Sequence, residues 1–308
     1  MQTANIVIVG SLNLDFIAQV ARAPQGGETL TGSQFMTLPG GKGANQACAV
    51  GRLAQPNTAV MIGCVGQDVY GQKLMESLRA CGVDNRYVRG APEAATGAAL
   101  ILVEASGQNR IVVVPGANDC LRPEDATEAL TELGGSHLLL QLETPLATVI
   151  AAAAHARSLG MTVILDPAPA REIPAELLRN VNILTPNESE ALALVGAAGD
   201  RISSTDAYDV ARKLLALGPQ QVILKLGAQG AFLADGERSR HFPALLVEPK
   251  DTTAAGDCFN GALATGLAEG MALDAAIEFA NVAASIAITR IGAQASLPTR
   301  AEVEQALG

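Results

Sequence analysis

A series of short apolar runs separated by helix-like stretches constrains this chain more than any other feature. The runs are NIVIVG (5–10), AVMIGCVG (59–66), HLLLQLE (137–143), TVILDPAP (162–169), VNILTPNE (181–188) and QVILKLG (221–227). Each is too short for a core helix and rich in Val, Ile and Leu, so each reads as a strand buried on both faces. ANQACAVGRLA, GQKLMESLRACG, PLATVIAAAAHARSLG and STDAYDVARKLLALG lie between most of them and have helical character. The alternation predicts an α/β fold, a mainly parallel sheet covered by helices on both faces. In such sheets ligands bind beyond the carboxyl ends of the strands. Asn13, Asp15, Glu143, Asp166, Asn187 and Lys225 stand at those ends.

Two segments break the pattern. Residues 12–38 carry the strand-like pieces DFIAQV, ETLTG and QFMTLP, and residues 97–114 read as a hairpin around a Ser-Gly turn. Neither has a helix to cover it. Together they predict a small antiparallel sheet standing off the main body, with one face resting on substrate as a lid or on another subunit. The plainer alternative is a surface hairpin without function. Residues 256–290 read as helical. No linker, repeat or low-complexity tract divides residues 1–308, so one α/β domain is expected, with the lid inserted in it.

Composition narrows the partners. Hydrophobic residues make up 49% and charged residues 17%, which suits a large core. The net charge of −10 opposes a nucleic-acid role, because neutralising phosphates needs a basic surface. No apolar stretch is long and charge-free enough to span a membrane, and the N-terminus lacks signal-peptide features. The five scattered cysteines form no CxxC pair, as expected of reduced thiols in a cytoplasmic protein, and three scattered His disfavour a zinc site.

Four stretches carry chemistry. In TTAAGDCFNGAL (252–263), small residues and one acid precede a helix. Free N–H groups in that first turn, with the helix dipole, make an anion hole suited to a phosphoryl group in transfer. Asp257 beside it would accept a hydroxyl proton, or would merely cap the helix. In PGGKGANQA (39–47), glycines permit close backbone approach, Lys42 and Asn45 bring donors, and a helix is expected from about Asn45. No Walker A loop is present, and GSLNLD (10–15) lacks the glycines of a dinucleotide fingerprint, which disfavours an NAD(P)-dependent oxidoreductase. Asn13 and Asp15 alternate on one side of an extended chain and suit neighbouring hydroxyls. In TPNESEA (185–191), Asn187 and Glu190 either reach phosphate, water or Mg²⁺ or form a helix cap. In LKLGAQGAF (224–232), Gly227 and Gly230 either admit a nucleotide or mark a strand–turn–strand.

Taken in order, GSLNLD, PGGKGANQA, the hairpin, QLE, DPAPA, TPNESEA, KLGAQG and DTTAAGDCFNGALA resemble the ribokinase family of carbohydrate kinases almost end to end. The resemblance implies a three-layer αβα sandwich with a small β-sheet lid, and transfer of the ATP γ-phosphate to the 5-hydroxyl of D-ribose. It implies that Asp257 is the base and that the backbone of Ala254, Ala255, Gly256 and Asp257 is the anion hole. Asn13, Asp15, Gly41, Lys42, Asn45 and Glu143 are similar to the family's sugar contacts. Asn187, Lys225, Gly227, Gly230, Gly256 and Asn281 are similar to its nucleotide contacts, and Glu190 to its Mg²⁺–water network. Asp251, Thr253, Ala287, Arg290, Gly292 and Ser296 match its K⁺ site. A homodimer paired through the lid is also implied. Lys225 and Asn281 depart from the Thr and His of many relatives. A kinase for 2-deoxyribose or another furanose, and an inactive sugar-binding sensor, are the rival readings.

Overall fold

The computed structural model describes residues 6–203 and 205–308. Its main sheet contains β1 (Ile6–Val9), β4 (Ala59–Gly66), β5 (Asp84–Ala91), β8 (His137–Leu140), β9 (Thr162–Leu165), β10 (Ile183–Leu184), β11 (Gln221–Lys225), β12 (Ala231–Ala234) and β13 (Ser239–Phe242). The spatial order is β13-β12-β11-β10-β9-β8-β1-β4-β5. Seven of these strands run parallel; β12 and β13 close one edge antiparallel. The sequence patterns missed β5 and β13. β12 realises the reading of Gly227 and Gly230 as a strand–turn–strand, since a 3-10 turn at Gly227–Gln229 joins β11 to β12.

Alternation along the strands sends side chains to two helical layers. Ile6, Ile8, Met61, Leu139, Ile164 and Ile223 join one core. It is covered by α1 (Lys42–Leu53), α2 (Val69–Ala80), α8 (Ala255–Ala268), α9 (Leu273–Ala287) and α10 (Arg300–Leu307). Val7, Val9, Leu138, Leu140, Val163 and Val222 join the other. That core lies under α3 (Pro123–Leu133), α4 (Leu146–Ser158), α5 (Ala175–Leu178), α6 (Glu188–Leu194) and α7 (Ala207–Leu215). The result is a three-layer α/β sandwich.

A second sheet has the order β3-β2-β6-β7, from β2 (Asn13–Val20), β3 (Gln34–Gly40), β6 (Gly97–Glu104) and β7 (Asn109–Val114). It is mixed, not antiparallel as expected: β2 and β6 pair in parallel over Asn13–Val20, and only the outer pairs are antiparallel. The two central strands leave the main sheet in the same direction, from β1 and from the segment after β5, so they meet side by side. ETLTG forms no strand. Phe16 packs edge-to-face on Tyr70 of α2 at 5.4 Å and ties this sheet to the body.

Candidate active site

Helix α8 begins with Ala254 as N-cap in the left-handed region (φ 59°, ψ 12°), with no side-chain cap. A non-glycine residue there costs roughly 1–2 kcal/mol, a local strain of the kind concentrated at functional sites. The Ala255 amide turns back to the Thr252 carbonyl at 3.3 Å. The amides of Gly256 and Asp257, next in the first turn, have no intrahelical partner. Asp257 therefore does not cap the helix. Its carboxylate, 6% exposed, accepts from Asn45 Nδ2 at 3.0 Å and Gln46 Nε2 at 3.1 Å. Burial lifts its pKa to about 6 and Asp166 adds to the lift, while Lys42 and the Asn45 and Gln46 donors oppose it.

Close helix packing makes those bonds possible. A Cβ on Gly261 would lie 2.5 Å from Ala49 Cβ and 2.9 Å from the Gln46 carbonyl, so only glycine lets α8 lie this near α1. The loop before α1 is equally tight. Gly41 has φ 88° and its missing Cβ would sit 2.7 Å from the Asn13 amide. Helix α1 starts at Lys42, earlier than the Asn45 expected, because Gly41 rather than a polar residue ends the loop.

Around this turn lie the other residues that the resemblance matches to sugar contacts. Glu143 Oε2 accepts from Ser11 Oγ at 2.5 Å and from the Lys42 amide at 3.0 Å. Asn13 is buried, and its Oδ1 accepts from Asn118 Nδ2 at 2.8 Å. Asp15 is half-buried, and its carboxylate has no hydrogen bond among the described residues. Burial, then the charges of Glu143 and Asp257, raise its pKa to about 7. Burial works against the charge of Lys42, but Asp257, Asp166, Glu143 and Glu190 together hold its ammonium well above the usual range. No hydrogen bond or ion pair fixes that ammonium among the described residues.

A cleft of about 460 Å³ opens beside Asp257 and Lys42. Asn187, Glu190, Lys225, Gly227, Gly230, Gly256 and Asn281 all line it. Lys225 pairs with buried Asp166 at 2.8 Å, and a Cβ on Gly256 would lie 3.2 Å from Lys225 Nζ. The ammonium thus sits against the first turn of α8. Asn187 caps α6: its Oδ1 accepts from the Glu190 amide at 2.8 Å, and Glu190 accepts from the Asn187 amide at 2.8 Å and from Nδ2 at 2.9 Å. The capping reading is realised, and the same two residues line the cleft. Burial raises the Glu190 pKa, with Lys225 opposing and Asp166 reinforcing the rise. Asn281 donates to the Phe242 carbonyl at 3.0 Å, so it holds the 242–243 segment as well as lining the cleft.

The residues matched to a K⁺ site cluster at two loops beside α8. Asp251 accepts from the amides of Thr253 and Gly292, each at 2.9 Å. Burial would raise the Asp251 pKa, but these donors pull it below the usual range. Arg290 spends its guanidinium on Glu302 and its amide on the Ala287 carbonyl; Ser296 donates to the Ala293 carbonyl.

Several neighbours went unassigned in the sequence reading. The sequence marks Asp166 only as polar at a strand end, and Asn118 lies outside the stretches singled out there. Gln46 and Gln141 lacked any signal beyond being polar in apolar surroundings. Gln141 donates to Gln46 at 2.6 Å, and Gln46 donates to Asp166 at 3.0 Å.

Three α/β layers, a cleft at the strand ends and a strained helix tip with free amides beside a buried acid define a small-molecule phosphotransferase. The family model described as "pfkB family carbohydrate kinase" matches residues 3–300, and the chain belongs to that family. It is 40% identical over 304 residues to the ribokinase of Bacillus subtilis (strain 168), which covers 98% of this chain and 99% of the relative. The solved structure of Arabidopsis thaliana ribokinase complexed with ribose and ATP superposes with a TM-score of 0.91, at 34% identity and 99% coverage of both chains. The deoxyribokinase of Salmonella typhi is 34% identical over 297 residues, 96% of each chain. The protein is thus a kinase of the pfkB family. No helix among the described residues is long and apolar enough to cross a membrane.

Proposed function

We propose that the protein transfers the γ-phosphoryl group of ATP to O5 of D-ribose, giving ribose 5-phosphate and ADP. The observation that carries this reading is Asp257: a buried carboxylate in the first turn of α8 that caps nothing and adjoins free amides. Those amides and Lys225 would stabilise charge on the transferring group, while Asp257 takes the proton of the attacking hydroxyl. The Asp15 carboxylate, with no donor among the described residues, and the Lys42 ammonium, with no acceptor among them, are complementary to the hydroxyls of a polyol. Asn13, Gly41, Asn45 and Glu143 complete the sugar side. Asn187, Gly227, Gly230, Gly256 and Asn281 form the nucleotide side.

Glu190, which lines the cleft beside Asn187, would help hold Mg²⁺ through water. Bound there, it would neutralise charge on the phosphates. K⁺ suits the hard oxygens around Asp251, Thr253, Ala287, Arg290, Gly292 and Ser296, where it would steady the loop before α8. The second sheet would cover the sugar as a lid and limit hydrolysis of ATP. We also propose a homodimer through that lid. β7 is an unpaired edge on which four consecutive apolar residues, Ile111 to Val114, stand exposed.

An assay of ADP release over a panel of pentoses tests the substrate. Ribose is expected to be the best acceptor. A higher kcat/KM for 2-deoxyribose would favour the second reading, which the deoxyribokinase relative motivates. Asp257→Asn should keep sugar binding and lower kcat by ~10²–10⁴, the range for loss of a general base. Turnover near the wild-type rate would remove the assignment of the base.

A further inference from the structure

We infer that Gln46 is a positioning residue that holds Asp257 in its working orientation and ties it to the Asp166–Lys225 ion pair. This rests on the proposed reading of Asp257 as the base.

The carboxamide of Gln46 is fully used. Nε2 donates to Asp257 Oδ1 at 3.1 Å and to Asp166 Oδ2 at 3.0 Å, and Oε1 accepts from Gln141 Nε2 at 2.6 Å. Only one amide orientation satisfies these partners, because two carboxylates need the NH₂ group facing them. Gly10 makes room for the outer link of the chain, since a Cβ there would strike the Gln141 amide. Gln46 itself is fully buried and does not line the cleft. It therefore reaches the chemistry only through the two carboxylates it holds, Asp257 and Asp166. Asn45, by contrast, holds the other Asp257 oxygen and belongs to the sugar side.

Asp257 is surrounded by charge. Lys42 faces it from α1, Asp166 from the end of β9, Lys225 from β11, Asp15 from β2 and Glu143 from beyond β8, with the Cys258 thiol behind it. Asp166 repels the ionised form of Asp257. The shared NH₂ group offsets that repulsion by bonding both carboxylates at once. Without it, Asp257 would keep its proton to higher pH and its carboxylate would be free to rotate away from the hydroxyl.

The test is Gln46→Met, which keeps length and removes both donors. The acid limb of its kcat–pH profile should move up by about one pH unit, the size expected for losing one hydrogen bond to a charged group. At pH 6.5 kcat should fall about threefold and at pH 5 about tenfold, since the wild-type acid titrates at about 6, with KM for ribose and for ATP within about twofold of wild type, because no contact to either substrate is lost. In Gln46→Met/Asp166→Asn the limb should return toward the wild-type position, since the repelling charge is gone. Asp166→Asn alone should move the limb down, and it carries the test if Gln46→Met does not fold. An unmoved limb in the folded Gln46→Met enzyme, or in Asp166→Asn, overturns the inference. If Asp257→Asn is inactive while Gln46→Met keeps the wild-type limb, the inference falls and the base stands. If Asp257→Asn turns over normally, both fall together.

Discussion

Asp15→Asn should make the unliganded protein more stable at pH 8 and leave its stability unchanged at pH 4. The Asp15 carboxyl lies half-buried, without a hydrogen bond among the described residues, near the charges of Glu143 and Asp257, and its pKa rises from 3.8 to about 7. A raised carboxyl favours the folded state while protonated. That stability is fully present below pH 3.8 and is lost as pH climbs through about 7. The shift of about three units corresponds to ~4 kcal/mol at about 1.36 kcal/mol per unit. Because the group is partly open to water, screening reduces this to roughly 2 kcal/mol. For a domain of this size the gain in Tm at pH 8 should be about 4 °C. Thermal unfolding of both proteins from pH 4 to pH 8 measures it. The same melts with ribose should show the opposite penalty: ribose hydroxyls supply the missing donors in the wild type and stabilise it, but stabilise Asp15→Asn much less. An equal Tm difference at pH 4 and pH 8, or a less stable variant at pH 8, would refute the account of Asp15 as a carboxylate kept without partners for a ligand.

Wild-type kcat/KM should be half-maximal near pH 6, level off above about pH 7 and fall about tenfold per unit below about pH 5, as Asp257 takes up its proton; a profile flat down to pH 5 would contradict that. K⁺ should activate over Na⁺ at equal ionic strength, and Asp251→Ala should abolish the difference; identical rates in both salts for the wild type would dismiss the cation site. Val112→Lys, on the exposed edge strand, should convert a dimer to a monomer by light scattering, and an unaltered dimer mass would move the interface elsewhere.

The main sheet could be read from the chain because buried parallel strands are written as uninterrupted runs of Val, Ile and Leu, whatever surrounds them. β5 was missed because DNRYVRGA is an edge strand, half exposed and interrupted by Arg86 and Arg89. β13 (SRHF) was missed because it is mostly exposed and polar, with no apolar run to mark it. The segments of the second sheet were visible as strands, but the parallel pairing of β2 with β6 depends on where the main body launches each of them. The polar strand ends and the glycine-rich loops announced a phosphate-handling site, since their residue types allow little else. What Asn187 and Asp257 do locally was open: the same motif grammar describes a cap, and only coordinates separate Asn187, which caps, from Asp257, which does not.

By itself, then, the sequence determined the α/β layering and the family, and it named the candidate site positions. These depend on local patterns, hydrophobic period and glycine spacing, which each segment carries with it. Tertiary structure alone decided the partners. Gln46 meets Asp257, 211 residues away in the chain, because Gly261 lets two helices touch. Lys225 meets Asp166 because β11 and β9 flank the same short strand. Charges that no window of sequence contains together set the proton affinity of the acid, because electrostatic coupling follows distance in space and burial.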